Sequence, residues 1–206
     1  MLKIQCMDEQ KFIEYLTKLK GVIPTNTAVI SINDPKDRQI ISDKNKLNVI
    51  STIFRDDLYG YDLLPLNEGI RIFEFIKTYV KVMMENNTES WLIIHSKAGI
   101  SRAGAIAAFA AEYLTPYKLI DFEYYLSKNL LIQPHKIILE KLFTVQRLIE
   151  YFNDDYKNLP YLAYKILSDS SQSDELKNNC NNFLIDLYKL ELEELRNNNI
   201  KLRMKV

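Results

Sequence analysis

The sequence predicts an α/β fold: a central, mostly parallel sheet flanked by helices, with an extra helix at its C-terminal end. Three observations predict it. Short β-branched runs recur at 28–32, 47–54 and 91–95. Stretches with apolar residues at helical spacing separate them, and strands that alternate with helices pair in parallel with right-handed connections. After a polar break at 168–173, leucines and a phenylalanine again fall at helical spacing.

Taken in order, Asp8 to Leu19 reads as a helix with an acidic start and an apolar face of Phe12, Ile13, Leu16 and Leu19. Ala28 to Ile32 is a strand closed by the turn residues Asn33-Asp34-Pro35. Leu47 to Phe54 is a second strand, followed by the polar loop Arg55 to Asp62. A helix is expected over 67–84, where Ile70, Phe73, Ile76, Val80 and Met83 share one face. Trp91 to His95 is the third strand, and helices follow near 101–114, 117–129 and 135–153. The tail carries Phe183, Leu184, Leu187, Leu190 and Leu192 on one helical face. These patterns divide the chain into a domain over 1–167 and a helical extension over 168–206 that packs on it. The stretch 173–204 is also a candidate contact for a second copy or another partner.

Composition narrows the function. The chain has 206 residues, 47% of them hydrophobic, enough for one well-buried core. Its 27 basic and 27 acidic residues cancel, which argues against a general nucleic-acid binder. No apolar run approaches the roughly 18 residues of a membrane span, and the N-terminal stretch has no signal-peptide core. A cytoplasmic protein is expected. Cys6 and Cys180 are too far from any Cys or His neighbour to suggest a zinc site, and no metal or cofactor is expected.

The chemistry gathers in His95-Ser96-Lys97-Ala98-Gly99-Ile100-Ser101-Arg102. A strand ends, a short loop turns and a helix begins. The unpaired N–H groups and partial positive charge of a helix start suit a phosphate. Arg102 adds a planar fork for two phosphate oxygens, although a cation there opposes the helix dipole. Gly99 permits a positive φ, and Gly104 lets the helix approach a neighbour closely. Tyr59 and Tyr61 are candidates for an aromatic rim, with surface packing the plainer reading.

His95, position 96, five residues and Arg102 resemble the signature loop of the protein tyrosine and dual-specificity phosphatases, which reads His-Cys, five residues, Arg, Ser or Thr. Asp56-Asp57 lies upstream, where that superfamily keeps its general acid. Ile132-Gln133-Pro134-His135 resembles the turn before the helix behind the phosphate loop. The resemblance covers roughly residues 28–150. It implies a cysteine-phosphatase-like fold in which residues 96–102 bind phosphate, Arg102 stabilises it, Asp57 or Asp56 acts as acid and His95 braces the loop. Asp34 and Asp37 are alternative acids, read more simply as turn residues. The implied partner is a phosphomonoester, a phosphoprotein first among them.

Two departures stand out. Ser96 occupies the place of the nucleophilic cysteine, and Ala103 the place of the hydroxyl that stabilises a thiolate. The regenerating-liver branch of the superfamily also has alanine there, so Ala103 implies slow chemistry. Ser96 implies none of the thiol type, because a serine hydroxyl without an adjacent base stays protonated. His95, next to it on a strand, faces the other way. The sequence fits either a natural pseudophosphatase that binds phosphorylated partners or a substrate-trapping substitution in an active phosphatase. A remote alternative is a serine hydrolase with Ser101 as nucleophile, His135 as base and Asp121 as orienter, because Gly99-Ile100-Ser101-Arg102-Ala103 approximates a nucleophile elbow.

Overall fold

A computed structural model describes residues 1–34, 36, 40–41, 48–54, 64–80, 83, 85–86, 89–151, 174, 177–178 and 180–181. The chain divides into two compact units, Met1–Phe143 and Thr144–Val206. The expected boundary at 167/168 and the leucine-rich face of the tail lie outside the described residues.

Among the described residues, the first unit is built on four parallel strands: β1 (Leu2–Met7), β2 (Thr27–Asn33), β3 (Val49–Ile53) and β4 (Ser90–His95), in the order β1-β4-β2-β3. The helices are α1 (Glu9–Lys18), α2 (Leu66–Glu74), α3 (Arg102–Leu114), α4 (Phe122–Lys128) and α5 (Lys136–Tyr151). The expected α/β class with a parallel sheet is present. Strand β1 was not anticipated, although Leu2, Ile4 and Cys6 alternate with polar residues there.

Every residue of β2 is buried, as fits a strand between two neighbours and covered on both faces. Its Ile30 faces Ile94 of β4 on one side and Ile50 of β3 on the other. Helix α1 starts at Asp8, whose side chain accepts from the Lys11 amide at 2.8 Å. It ends where Lys20 and Gly21 turn to φ 51° and 75° and the Gly21 amide bonds back to the Leu16 carbonyl. Phe12 carries its buried face into a cluster with Met7, Ile23, Val29, Ile41, Val49 and Ile93.

Two helices differ from expectation. The helix over 67–84 becomes α2 followed by a π-helical turn, Phe75–Val80. The helix expected over 117–129 starts later. Thr115–Tyr117 forms a 3-10 turn containing Pro116, Lys118 adopts φ 56°, and Asp121 caps α4 by accepting from the Tyr124 amide. Helix α3 is rich in alanine and almost wholly buried, with Phe109 and Leu114 fully enclosed.

Candidate functional site

The carboxyl ends of all four strands meet at residues 96–102, the edge at which parallel sheets bind ligands. From β1, the Met7 carbonyl accepts from the Ser96 amide at 3.3 Å. From β2, Asp34 reaches Arg102. From β3, the Phe54 carbonyl accepts from Arg102 Nη1 at 2.7 Å. Strand β4 runs directly into Ser96.

Gly99 makes the loop close. Its φ is +68°, in the left-handed region. A Cβ there would stand 2.5 Å from both the Asp8 nitrogen and the Met7 carbonyl carbon, so the backbone of the β1–α1 junction leaves no room for a side chain. Its amide points back to residue 96, donating to the Ser96 carbonyl at 3.1 Å and to Ser96 Oγ at 3.2 Å. Among the described residues, the amides of Ala98 and Ile100 donate to no protein acceptor. Both residues are exposed, so these amides are open to solvent or to an anion. The other flank of the loop is held by residues 133–135: the Gln133 amide donates to the Ile100 carbonyl and the His135 amide to the Ser101 carbonyl, each at 3.3 Å. Gly104 lets α3 come close, because a Cβ there would lie 3.2 Å from Ile132 Cβ.

Arg102 opens α3 and is 2% exposed. Nη1 and Nη2 donate to the two carboxylate oxygens of Asp34 at 2.9 and 3.0 Å, a two-pronged pairing that fixes the plane of the guanidinium. Asp34, taken from sequence for a turn residue, is the arginine's counter-ion. The signal for it was thin: one acid at the end of a strand, 68 positions from its partner. Asp37, Asp56, Asp57, Tyr59 and Tyr61 lie outside the described residues.

Ser96 is 2% exposed. Its Oγ accepts from Gly99, and among the described residues nothing accepts its proton. His95 turns away from it. The His95 ring stacks on Phe12 at 3.8 Å and its Nε2 pairs with Ser31 Oγ at 2.7 Å. Burial pushes its pKa down to about 4, so the ring is neutral near pH 7. It faces Ser31 and Phe12 and offers Ser96 no general base.

The hydrolase grouping is not assembled. The Asp121 carboxylate caps α4, and His135 Nδ1 is buried with no hydrogen-bond partner. Cys6 is no substitute nucleophile either, because burial pushes its thiol up to about 12. Among the described residues no group of His, Cys, Asp or Glu could hold a metal ion, and no helix is long and apolar enough to cross a membrane.

No family profile and no curated protein matches the chain. Solved structures do show backbone similarity. A human tyrosine phosphatase-like serine/threonine/tyrosine-interacting protein is 16% identical, with a TM-score of 0.42 over 69% of this chain and 87% of that one. A leucine rich repeat and phosphatase domain containing protein from Entamoeba histolytica is 16% identical, with a TM-score of 0.39 over 74% and 92% of the two chains. PTPMT1, solved in complex with PI(5)P, is 15% identical, with a TM-score of 0.43 over 73% and 94%.

Proposed function

We propose that the chain is a protein tyrosine/dual-specificity phosphatase-like protein that binds phosphate monoesters in the 96–102 loop without thiol-type turnover. One observation carries this reading: the buried Arg102 fork, held in plane by Asp34 at the start of α3, beside a loop that only Gly99 can close. A fixed guanidinium and amides without protein acceptors form the donor set an oxyanion requires.

In a form with cysteine at 96, the same set supports two-step hydrolysis. The thiolate attacks phosphorus in line and the ester oxygen leaves, protonated by Asp57 or Asp56. Water then cleaves the phosphocysteine. The Gly99 amide, which here donates to Ser96 Oγ, lowers the pKa of a thiol at that position. With serine the hydroxyl stays protonated, and binding remains.

The test restores the thiol. Ser96→Cys should hydrolyse para-nitrophenyl phosphate or a phosphopeptide, and Arg102→Ala in that background should lose at least about 100-fold in kcat, as expected for removal of a transition-state donor. The chain as written should bind phosphate or vanadate by calorimetry and release no product. An inert Ser96→Cys that still binds anions makes the protein a binding module in either form. A folded chain that binds no oxyanion removes the whole assignment.

A further inference from the structure

Beside the phosphate loop lies a second concavity of about 350 Å³. It is lined by Ala98, Gly99 and Ile100 of the loop itself. Leu130, Leu131 and Ile132, between α4 and α5, line it too. Leu130 is 79% exposed and Leu131 84%. Two adjacent leucines left in water, lining a hollow that shares its wall with an anion loop, are unusual on a surface with no binding role. The segment bearing them is firmly anchored. Asn129 donates to the Ile4 and Tyr125 carbonyls and accepts from the Cys6 amide at 2.8 Å.

The charge at this hollow is also one-sided. Lys11 and Lys128 line it against a single carboxylate, Asp8, which already caps α1 and pairs with Lys11 at 3.0 Å. Lys128 holds its ammonium 5.9 Å over the Tyr124 ring and has no carboxylate partner among the described residues, so it can still meet an incoming acid. The two leucines stand beside a hollow that Ser127, Lys128 and Lys11 also line, a mixed apolar and basic rim that matches a peptide carrying an apolar and an acidic side chain. The volume suits one or two side chains.

We propose that this hollow is a specificity subsite for a phosphopeptide, taking one large apolar side chain near the phosphorylated residue, with an acidic neighbour against Lys128. The proposal rests on phosphate binding in the 96–102 loop. Because that loop forms the shared wall, one extended peptide can fill both sites, and the hollow selects among phosphopeptides that the cup alone would not distinguish.

The experiment uses the chain with Ser96, so that peptides are bound and not consumed. Phosphotyrosine and phosphothreonine peptides are scanned by calorimetry, placing Leu or Ser at each position flanking the phosphate. Inorganic phosphate and vesicles containing phosphoinositide are run alongside. At one position Leu should bind at least about tenfold tighter than Ser, the scale of burying one large apolar side chain. In Leu130→Ser/Leu131→Ser that ratio should fall to about twofold or less, with inorganic phosphate bound as before. Lys128→Glu should weaken peptides with an acidic neighbour and spare those without one. Phosphate binding with no Leu preference at any position overturns the subsite and leaves the phosphate reading standing. No phosphate binding by the folded chain overturns both. Leucine-dependent binding to vesicles, with no peptide preference, overturns the subsite in favour of a membrane contact.

Discussion

At the scale of single residues, Asp34 and Arg102 decide how the site behaves. An arginine 2% exposed must be paired, because an isolated buried charge is strongly unfavourable. Asp34 supplies that pairing with both oxygens, and the Phe54 carbonyl takes a further N–H. Removing one partner of such a pair typically costs about 3–5 kcal/mol, since the other charge is left uncompensated. Asp34→Ala should therefore lower the unfolding free energy by about 3 kcal/mol, measured by urea titration. Saturating phosphate should recover a larger share of stability in the variant than in the parent, because the anion replaces the missing negative charge. A variant that phosphate does not rescue would separate Arg102 from the anion site.

At the scale of elements, the 96–102 loop is a product of its neighbours. The apolar run of β4, the Gly99-containing loop and the alanine-rich start of α3 were legible because each has a local signature of short range in sequence. What was not legible came from long-range pairing. Strand β1 holds the Ser96 amide through Met7 and closes against Gly99, yet Leu2 to Met7 is too short and too mixed to stand out. The role of Asp34 needs the ends of β2 and β3 brought beside α3, which no spacing rule encodes. Likewise α4 starts at Asp121 because Pro116 and the left-handed Lys118 end the preceding turn, a local detail that helical periodicity passes over. The contact between β1 and the loop gives a direct test. Gly99→Ala puts a methyl group 2.5 Å from backbone atoms of Met7 and Asp8 and holds alanine at φ +68°. Backbone atoms cannot rotate aside, so the loop must open. Phosphate affinity should fall at least about tenfold by calorimetry, with helix content by circular dichroism retained, as expected when about 1.4 kcal/mol or more of binding is lost. Unchanged phosphate affinity in that variant would mean that loop closure does not make the site.

At the scale of the whole molecule, His95 ties the site to global stability. It sits on the central strand β4, between Ser31 of β2 and Phe12 of α1, and is 1% exposed. Burial lowers its pKa to about 4 from an unfolded value near 6.5. Between these values the unfolded chain binds a proton that the folded chain does not, so stability rises with pH across that window. The neutral ring's contribution is fully present above about pH 6.5 and is lost as pH falls toward 4. A shift of this size corresponds to a change on the order of 3 kcal/mol. Trp91, the one tryptophan in the sequence, lies in the same strand and reports unfolding of this unit by fluorescence. Urea midpoints followed through Trp91 should climb from pH 4 to 6.5 and then level off. His95→Asn lacks the titrating ring and should be less stable throughout, because the stack on Phe12 is lost, and should lose most of the slope in this window. If the slope persists unchanged in His95→Asn, the pH dependence belongs to carboxylates elsewhere, and the neutral ring at the end of β4 is not what couples protonation to folding.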